Sequence, residues 1–317
     1  MGSRGRFVLL LCAVILLARL GGMAVDECYN APGPLPAARA VVVPPGGMAA
    51  AALTLQRDGA IAYPPVFRIA AWLTRAQGPI RAGEFAVPAH ASLRQVLFIL
   101  RFAAPVEHRV TFPEGLTAVR IAHVLNAAPG ASGSVAPPPE GSILPQTYDY
   151  LLGTPRPLVL RRAGMALQAA LGRAWAGRDP AIPLASPRQA VILASIVQVE
   201  TPLPAELPKI AGVYENRLAL GMRLQADPTV IYAASHGVTA AGLPISRADL
   251  ANPSPYNTYV NPGLPPGPIC APGLAAILAV LHPAHDGDLY FVATGAGGHV
   301  FAKTFPEQLK NIAAARR

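Results

Sequence analysis

The residue in this chain best placed to do chemistry is one carboxylic acid, Glu200, near the end of the stretch PRQAVILASIVQVET that runs from Pro187 to Thr201. Val191, Ala194, Ile196, Val197 and Val199 make the stretch apolar on most faces, the pattern of a buried helix. Ser186 can cap that helix and Pro187 suits its first position. Pro202 biases Thr201 out of helical geometry, so the helix must end close to Glu200. An apolar surrounding and the negative end of a helix dipole both disfavour a carboxylate there. A carboxylic acid kept protonated near neutral pH can give its proton to a leaving oxygen. The competing reading is a helix-terminal Glu that points to water or pairs with Lys209 or Arg217. Gln198 stands two positions earlier, about 200° around the helix, so it faces elsewhere, and it has no proton to give.

The second informative stretch is SPYNTYVNPGLPPGPIC, from Ser254 to Cys270. It has no helical period. Tyr256, Asn257, Thr258 and Tyr259 set rings beside amide and hydroxyl groups, the combination that holds sugars; a proline-stiffened surface loop is the alternative. Arg223, Gln225 and Asp227 alternate, so Arg223 and Gln225 would share one strand face, with Asp227 next along as the cap of a following helix. Glu206, Glu215 and Glu307 could supply a second carboxylate but sit on exposed-looking faces. Gly295 to Gly298 reads as a hairpin turn, because no helix follows to cradle a phosphate. No Ser-His-Asp arrangement is readable. The seven His are dispersed and His123 reads as a partly buried packing residue. No Cys/His spacing resembles a metal site, and no cofactor is expected.

The elements that must position these groups follow in order. Arg39 to Val43 is a strand, Met48 to Gln56 and Val66 to Ala76 are helices, a turn and strand cover Arg81 to Val87, and Ser92 caps a helix through Phe102. His108 to Phe112 is a strand, Thr117 starts a helix, and the Pro/Gly/Ser-rich residues 128 to 142 form a loop. A long helix spans Leu158 to Ala176. Pro208 to Leu220 carries the stripe Ile210, Val213, Tyr214, Arg217 and Leu218, ended by Gly221. Ser246 and Asp249 form a capping box, Pro272 opens a helix through Leu281, Leu289 to Ala293 pairs with His299 to Ala302, and Thr304 with Glu307 caps the last helix.

The chain has 317 residues, room for one large domain or two ordinary ones, and a net charge of +9. Its arginines are scattered without interleaved aromatics, which disfavours nucleic acid. A basic balance also suits work near anionic lipid or anionic wall polymer. Arg4 and Arg6 precede an apolar run from Phe7 to Leu17, continuing to Val25 with Arg19 inside it. That run is expected to be a single membrane span or a signal segment, with the remainder outside the cytoplasm. Of the three Cys, Cys12 lies in this run, while Cys28 and Cys270 could pair in an oxidising compartment.

The ordered motifs ASIVQVET, PKIAGVYENRL, GMRLQADPTVIY, SRADL, SPYNTYVNPGLPPGPICAPG and LYFVATGAGGHVFAKT closely resemble the MltG (YceG-like) family of endolytic murein transglycosylases. The resemblance is dense from Val191 onward and weaker upstream through VVVPPG, IRAGEF, VTFPEGLT and EGSILPQTY. It implies an α+β chain made of an N-terminal membrane helix (1–25), a linker (26–38), a small LysM-like α/β subdomain (39–106) and a mixed α+β catalytic domain (107–317). It implies an inner-membrane, single-pass protein with its body in the periplasm, acting on peptidoglycan strands, with peptidoglycan synthases as possible partners and no nucleic acid. The reaction implied is cleavage of the MurNAc–GlcNAc β-1,4 bond, leaving a 1,6-anhydroMurNAc end. Glu200 falls on the family's catalytic acid. Gln198 replaces a Glu found in many members. Arg223, Gln225, Tyr256, Asn257, Thr258 and Tyr259 are the substrate-binding candidates by motif position. Two other readings stay open: a hydrolase of the same bond, and a wall-binding or scaffolding protein without turnover.

Overall fold

The structure, a computed structural model, describes residues 12, 16, 19, 22, 23, 25–295 and 297–315. Most of the expected membrane segment, residues 1–25, lies outside the described residues. Among the described residues no helix is long and apolar enough to cross a membrane. The fold is α+β, with three separate two-stranded sheets among the described residues, and divides into two compact units, Met1–His108 and Arg109–Arg317.

In the smaller unit β1 (Arg39–Val43) pairs antiparallel with β2 (Gly83–Val87), with Val41 opposite Phe85. Helices α1 (Met48–Arg57), α2 (Pro64–Leu73) and α3 (Leu93–Phe102) complete it. Val41, Leu55, Phe67, Phe85, Val96 and Leu100 form its core. Ser92 and Gln95 make a reciprocal capping box at the start of α3. The expected linker is tied down at its far end. Leu35 is buried in this core, the Gly33 amide donates to the His90 carbonyl, and the His90 amide donates to the Leu35 carbonyl.

Strand β3 (Glu107–Thr111) begins at the boundary and runs into the larger unit, where it pairs with β4 (Thr147–Leu151) and is followed by α4 (Ala118–Ala127). The sequence reading leaves β4 without an element. Its TYDYL alternation buries Tyr148 and Tyr150 and exposes Thr147, Asp149 and Leu151, the period of a half-buried strand. His123, expected to be partly buried, is exposed on α4. Two long helices, α5 (Arg156–Ala176) and α6 (Pro187–Glu200), pack with α7 (Leu207–Ala219) and α10 (Leu274–Leu281) around one core. Ala190 to Val197 of α6 are all buried, so this helix is the spine of the unit. Short helices α8 (Asp227–Ala234) and α9 (Arg247–Leu250) precede the proline-rich loop, and a hairpin of β5 (Tyr290–Ala293) and β6 (His299–Ala302) precedes α11 (Phe305–Ala315).

Cys28 and Cys270 are both free. Cys270 is buried and its thiol donates to the Ser195 carbonyl at 3.2 Å. The Ser195 hydroxyl, fully buried on the same helix, receives the Ile269 amide at 3.0 Å. Together these contacts fasten the end of the proline-rich loop to α6.

Candidate active site

Glu200 is the last residue of α6. The Ser186 hydroxyl accepts the Gln189 amide at the helix start, and Thr201 at its end is fully extended (φ −140°, ψ 140°) ahead of Pro202. The Thr201 hydroxyl donates to Glu206 and accepts the Leu203 amide, which fixes the turn that leaves the helix. Gln198 points elsewhere: its side-chain oxygen accepts the Gly273 amide at 2.8 Å, at the start of α10.

Glu200 opens into a cleft of about 310 Å³ lined by Tyr214, Arg217, Gln225, Asp227, Tyr259 and His299, with Phe291 and Val292 on its hairpin wall. The Tyr214 hydroxyl donates to Glu200 Oε1, leaving Oε2 as the oxygen that can carry a proton. Burial pushes the Glu200 carboxyl up to about 7; the negative charge of Asp227 adds to this, while the Tyr214 hydrogen bond and the Arg217 cation oppose it. The acid therefore keeps its proton to a pH well above that of an ordinary carboxyl, the state a general acid needs.

Tyr214 and Arg217 lie one turn apart on α7 and reach the cleft from the same stripe as Ile210 and Val213. The Arg217 guanidinium donates to the carbonyls of Leu289 (2.7 Å) and Leu224 (2.6 Å), so it is held by backbone and stays buried as a cation. Gly221 takes a positive φ of 66° where the chain leaves α7. Residues 222–226 form no strand, although Leu224 and Ala226 are buried while Arg223, Gln225 and Asp227 are exposed. Gln225 has a left-handed backbone (φ 50°) and its amide donates to the Thr258 carbonyl.

Asp227 was expected to cap α8. Ala226 occupies the cap position instead, and Asp227 is the first helical residue. Its Oδ1 accepts the Tyr259 hydroxyl at 2.6 Å across the cleft. On the far wall the Phe291 ring meets Tyr214 edge-on at 5.8 Å and His299 edge-on at 5.4 Å. Glu206 holds His299 twice, through the backbone amide at 2.8 Å and through Nδ1 at 2.8 Å.

The YceG-like family matches residues 41–314, most of the chain and all of this cleft. The chain belongs to that family. Over 118 residues it is 44% identical to the endolytic murein transglycosylase of Bacillus subtilis (strain 168), an alignment covering 37% of this chain and 32% of that protein. Over 125 residues it is 35% identical to the endolytic murein transglycosylase of Streptococcus pneumoniae serotype 2 (strain D39), covering 38% of this chain and 22% of that protein. The alignments therefore span a third or less of the length of these relatives. The 2.6 Å crystal structure of a yceG-like protein, lmo1499, from Listeria monocytogenes superposes with a TM-score of 0.50 at 25% identity, covering 86% of this chain and 98% of that one.

Of the substrate-binding candidates in this YceG-like chain, Gln225 and Tyr259 line the Glu200 cleft. Arg223 is exposed and outside it. Asn257 is fully buried, with its amide nitrogen on the carbonyls of Asp249, Leu250 and Asn252 and its oxygen on the Tyr259 amide. Thr258 is also buried, bonded to the Thr229 hydroxyl and the Ala226 amide. These two side chains are spent inside the loop, and a sugar cannot reach them without breaking it. Tyr256 lines a different cleft of about 420 Å³, beside Glu140 and Arg188, and packs on the Tyr232 ring at 4.9 Å. Tyr214, Arg217 and His299 have no place among the sequence candidates. The signal available for the first two was polar groups lying inside an otherwise apolar helical stripe. Among the described residues no cluster of three or more His, Cys, Asp or Glu could hold a metal ion.

Removing the Tyr214 hydroxyl removes the bond that favours the ionised acid. Tyr214→Phe therefore lifts the Glu200 carboxyl above about 7. The bond is of charge-assisted strength, so the alkaline limb of the pH–rate profile is expected to move up by about one pH unit. A limb that stays in place or moves down rejects this coupling.

Glu215 corrects another expectation. Its position in the sequence reads as exposed, yet it is buried, and among the described residues its Oε1 has no hydrogen-bond partner. It shares a face of α7 with Gly212, whose missing side chain lets the Ala284 backbone pack directly against the helix. Burial pushes the Glu215 carboxyl up to about 8, helped by the Asp179 charge. The folded state thus holds this proton more tightly than the unfolded chain. The resulting stabilisation is complete at pH below the ordinary carboxylate value and is lost as pH rises through about 8. Glu215→Gln should match the parent near pH 4 and exceed it at pH 9 by roughly 2–5 kcal/mol. Denaturant unfolding of both proteins at the two pH values measures the difference.

Proposed function

We propose that this chain is an endolytic murein transglycosylase that cleaves the MurNAc–GlcNAc β-1,4 bond within peptidoglycan strands and leaves a 1,6-anhydroMurNAc end. The observation that carries the reading is the carboxyl of Glu200, pushed up to about 7 at the wall of a polar cleft. The related proteins of Bacillus subtilis and Streptococcus pneumoniae are named for this activity. Glu200 gives its proton to the glycosidic oxygen, and the bond from that oxygen to the muramic C1 breaks with its electron pair on the oxygen. The muramic acid's own 6-hydroxyl then bonds to C1 and returns a proton to the Glu200 carboxylate. The acid is restored, and no water is consumed. Glu200 is the catalytic residue in this reading, and Gln225 and Tyr259 contact the sugar.

The small unit, resembling LysM, would hold the polymer, and the N-terminal apolar segment would tether the chain to the inner membrane with both units in the periplasm. Peptidoglycan synthases are the natural partners of an enzyme that ends nascent strands. Mass spectrometry of purified glycan strands digested with the full chain tests the reading. Anhydro ends are expected. Reducing ends would mean a hydrolase, and an unchanged polymer would mean a binding protein; either result overturns the proposal.

A further inference from the structure

Two carboxylates share the cleft and stand at opposite ends of helices. Glu200 closes α6, where the field of the helix disfavours an anion. Asp227 opens α8, where the same field favours one. Ala226 and not Asp227 occupies the cap position of this helix, and the Asp227 carboxyl turns to the Tyr259 hydroxyl. Its described hydrogen bond comes from the Tyr259 hydroxyl at 2.6 Å, which fixes the carboxyl in the cleft, and its side chain is exposed there. Glu200 is thus pushed toward the acid form while Asp227 stands where the helix field favours an anion, and two carboxyl groups so placed can take two different roles.

We propose that Asp227 is a second catalytic residue, an ionised carboxylate that stabilises the positive centre forming at the muramic C1 until the 6-hydroxyl closes on it. This inference rests on the transglycosylase reading above. Asp227 forms no bond and moves no proton. The glycosidic oxygen takes the Glu200 proton and the electron pair of the broken bond. The 6-hydroxyl oxygen supplies the pair for the new bond, and its proton returns to Glu200. The Asp227 charge has a second effect: it disfavours ionisation of Glu200, so the anion that steadies the transition state also keeps the acid protonated. Tyr259 is a positioning residue that holds Asp227.

The test uses the full chain acting on purified glycan strands, with Asp227→Asn, Asp227→Glu and Tyr259→Phe beside the parent. For Asp227→Asn, kcat should fall about 10²–10³-fold, the cost of losing one preorganised electrostatic group. The alkaline limb of its pH–rate profile should move to lower pH, because Glu200 ionises more readily without the neighbouring charge. Asp227→Glu keeps the charge, so its limb should stay nearer the parent's and part of kcat should return. If Asp227→Asn lacks a cooperative melt, the limb position in Asp227→Glu and a fall of about 10-fold in kcat for Tyr259→Phe carry the test instead. A folded Asp227→Asn within 3-fold of the parent, an unmoved limb, or a covalent glycosyl adduct on Asp227 in the intact-protein mass overturns the proposal. Glu200→Gln separates the two levels. If it is inactive while Asp227→Asn is not, this inference alone fails; if Glu200→Gln is active, the transglycosylase reading fails with it.

Discussion

Glu200→Gln is expected to fold like the parent and to lose about 10³-fold in the rate of glycan cleavage, roughly 4 kcal/mol of transition-state stabilisation. The fold should survive because glutamine has the same shape and its oxygen still accepts the Tyr214 hydroxyl. The rate should not, because an amide has no proton to give to the leaving oxygen. In the parent the same logic sets the pH dependence. On the proposed function the working form is the protonated one, present below about 7 and lost as pH rises through that value. Initial rates from pH 5 to pH 9, with melting curves for both proteins, check both statements. A Gln variant as active as the parent would remove Glu200 from the chemistry.

Asn257→Ala should be the most damaging single change in the loop, and for a structural reason. The side chain is fully buried and bridges three carbonyls and one amide; truncation strands the Leu250 and Asn252 carbonyls and the Tyr259 amide, while the Asp249 carbonyl keeps the Asn252 amide. Each stranded group carries its own desolvation penalty, and with partial relaxation the loss is about 2–4 kcal/mol. For a unit of this size that lowers the melting temperature by roughly 4–16 °C. Activity should fall with stability, since the Tyr259 amide is one of the stranded groups and its ring carries the hydroxyl that holds Asp227. A sugar-binding Asn257 would behave differently: KM would rise while the melting temperature held. Thermal melts and steady-state kinetics on the same preparation separate the two.

The long helix that ends at Glu200 was readable because every signal for it is local: a cap, a proline at each boundary and an unbroken apolar run. The hairpin, the cap at Ser92, the capping box at Ser246 and the stripe on α7 are readable for the same reason. Strand β4 is hard to read in the sequence although its alternation is plain, since five residues between a proline-rich loop and a helix give a short pattern little weight. An acid before a proline at a helix start has two local explanations, a cap or a cleft residue, and only the first is visible without the Tyr259 loop.

What the sequence by itself determined was the acid and its setting: an apolar helix, stopped by proline, with one carboxyl at its negative end. Local propensity suffices for that, because helix start, helix stop and hydrophobic period are written in adjacent residues. What only the tertiary structure decided was the company that acid keeps. Tyr214 and Arg217 come from the next helix, Asp227 and Tyr259 from segments about thirty residues apart, and His299 from a hairpin near the end of the chain. Packing α7, α8 and the hairpin against one buried core brings them together, and no spacing along the chain records which polar side chains that packing turns toward the cleft and which, like Asn257 and Thr258, it turns inward to hold the loop.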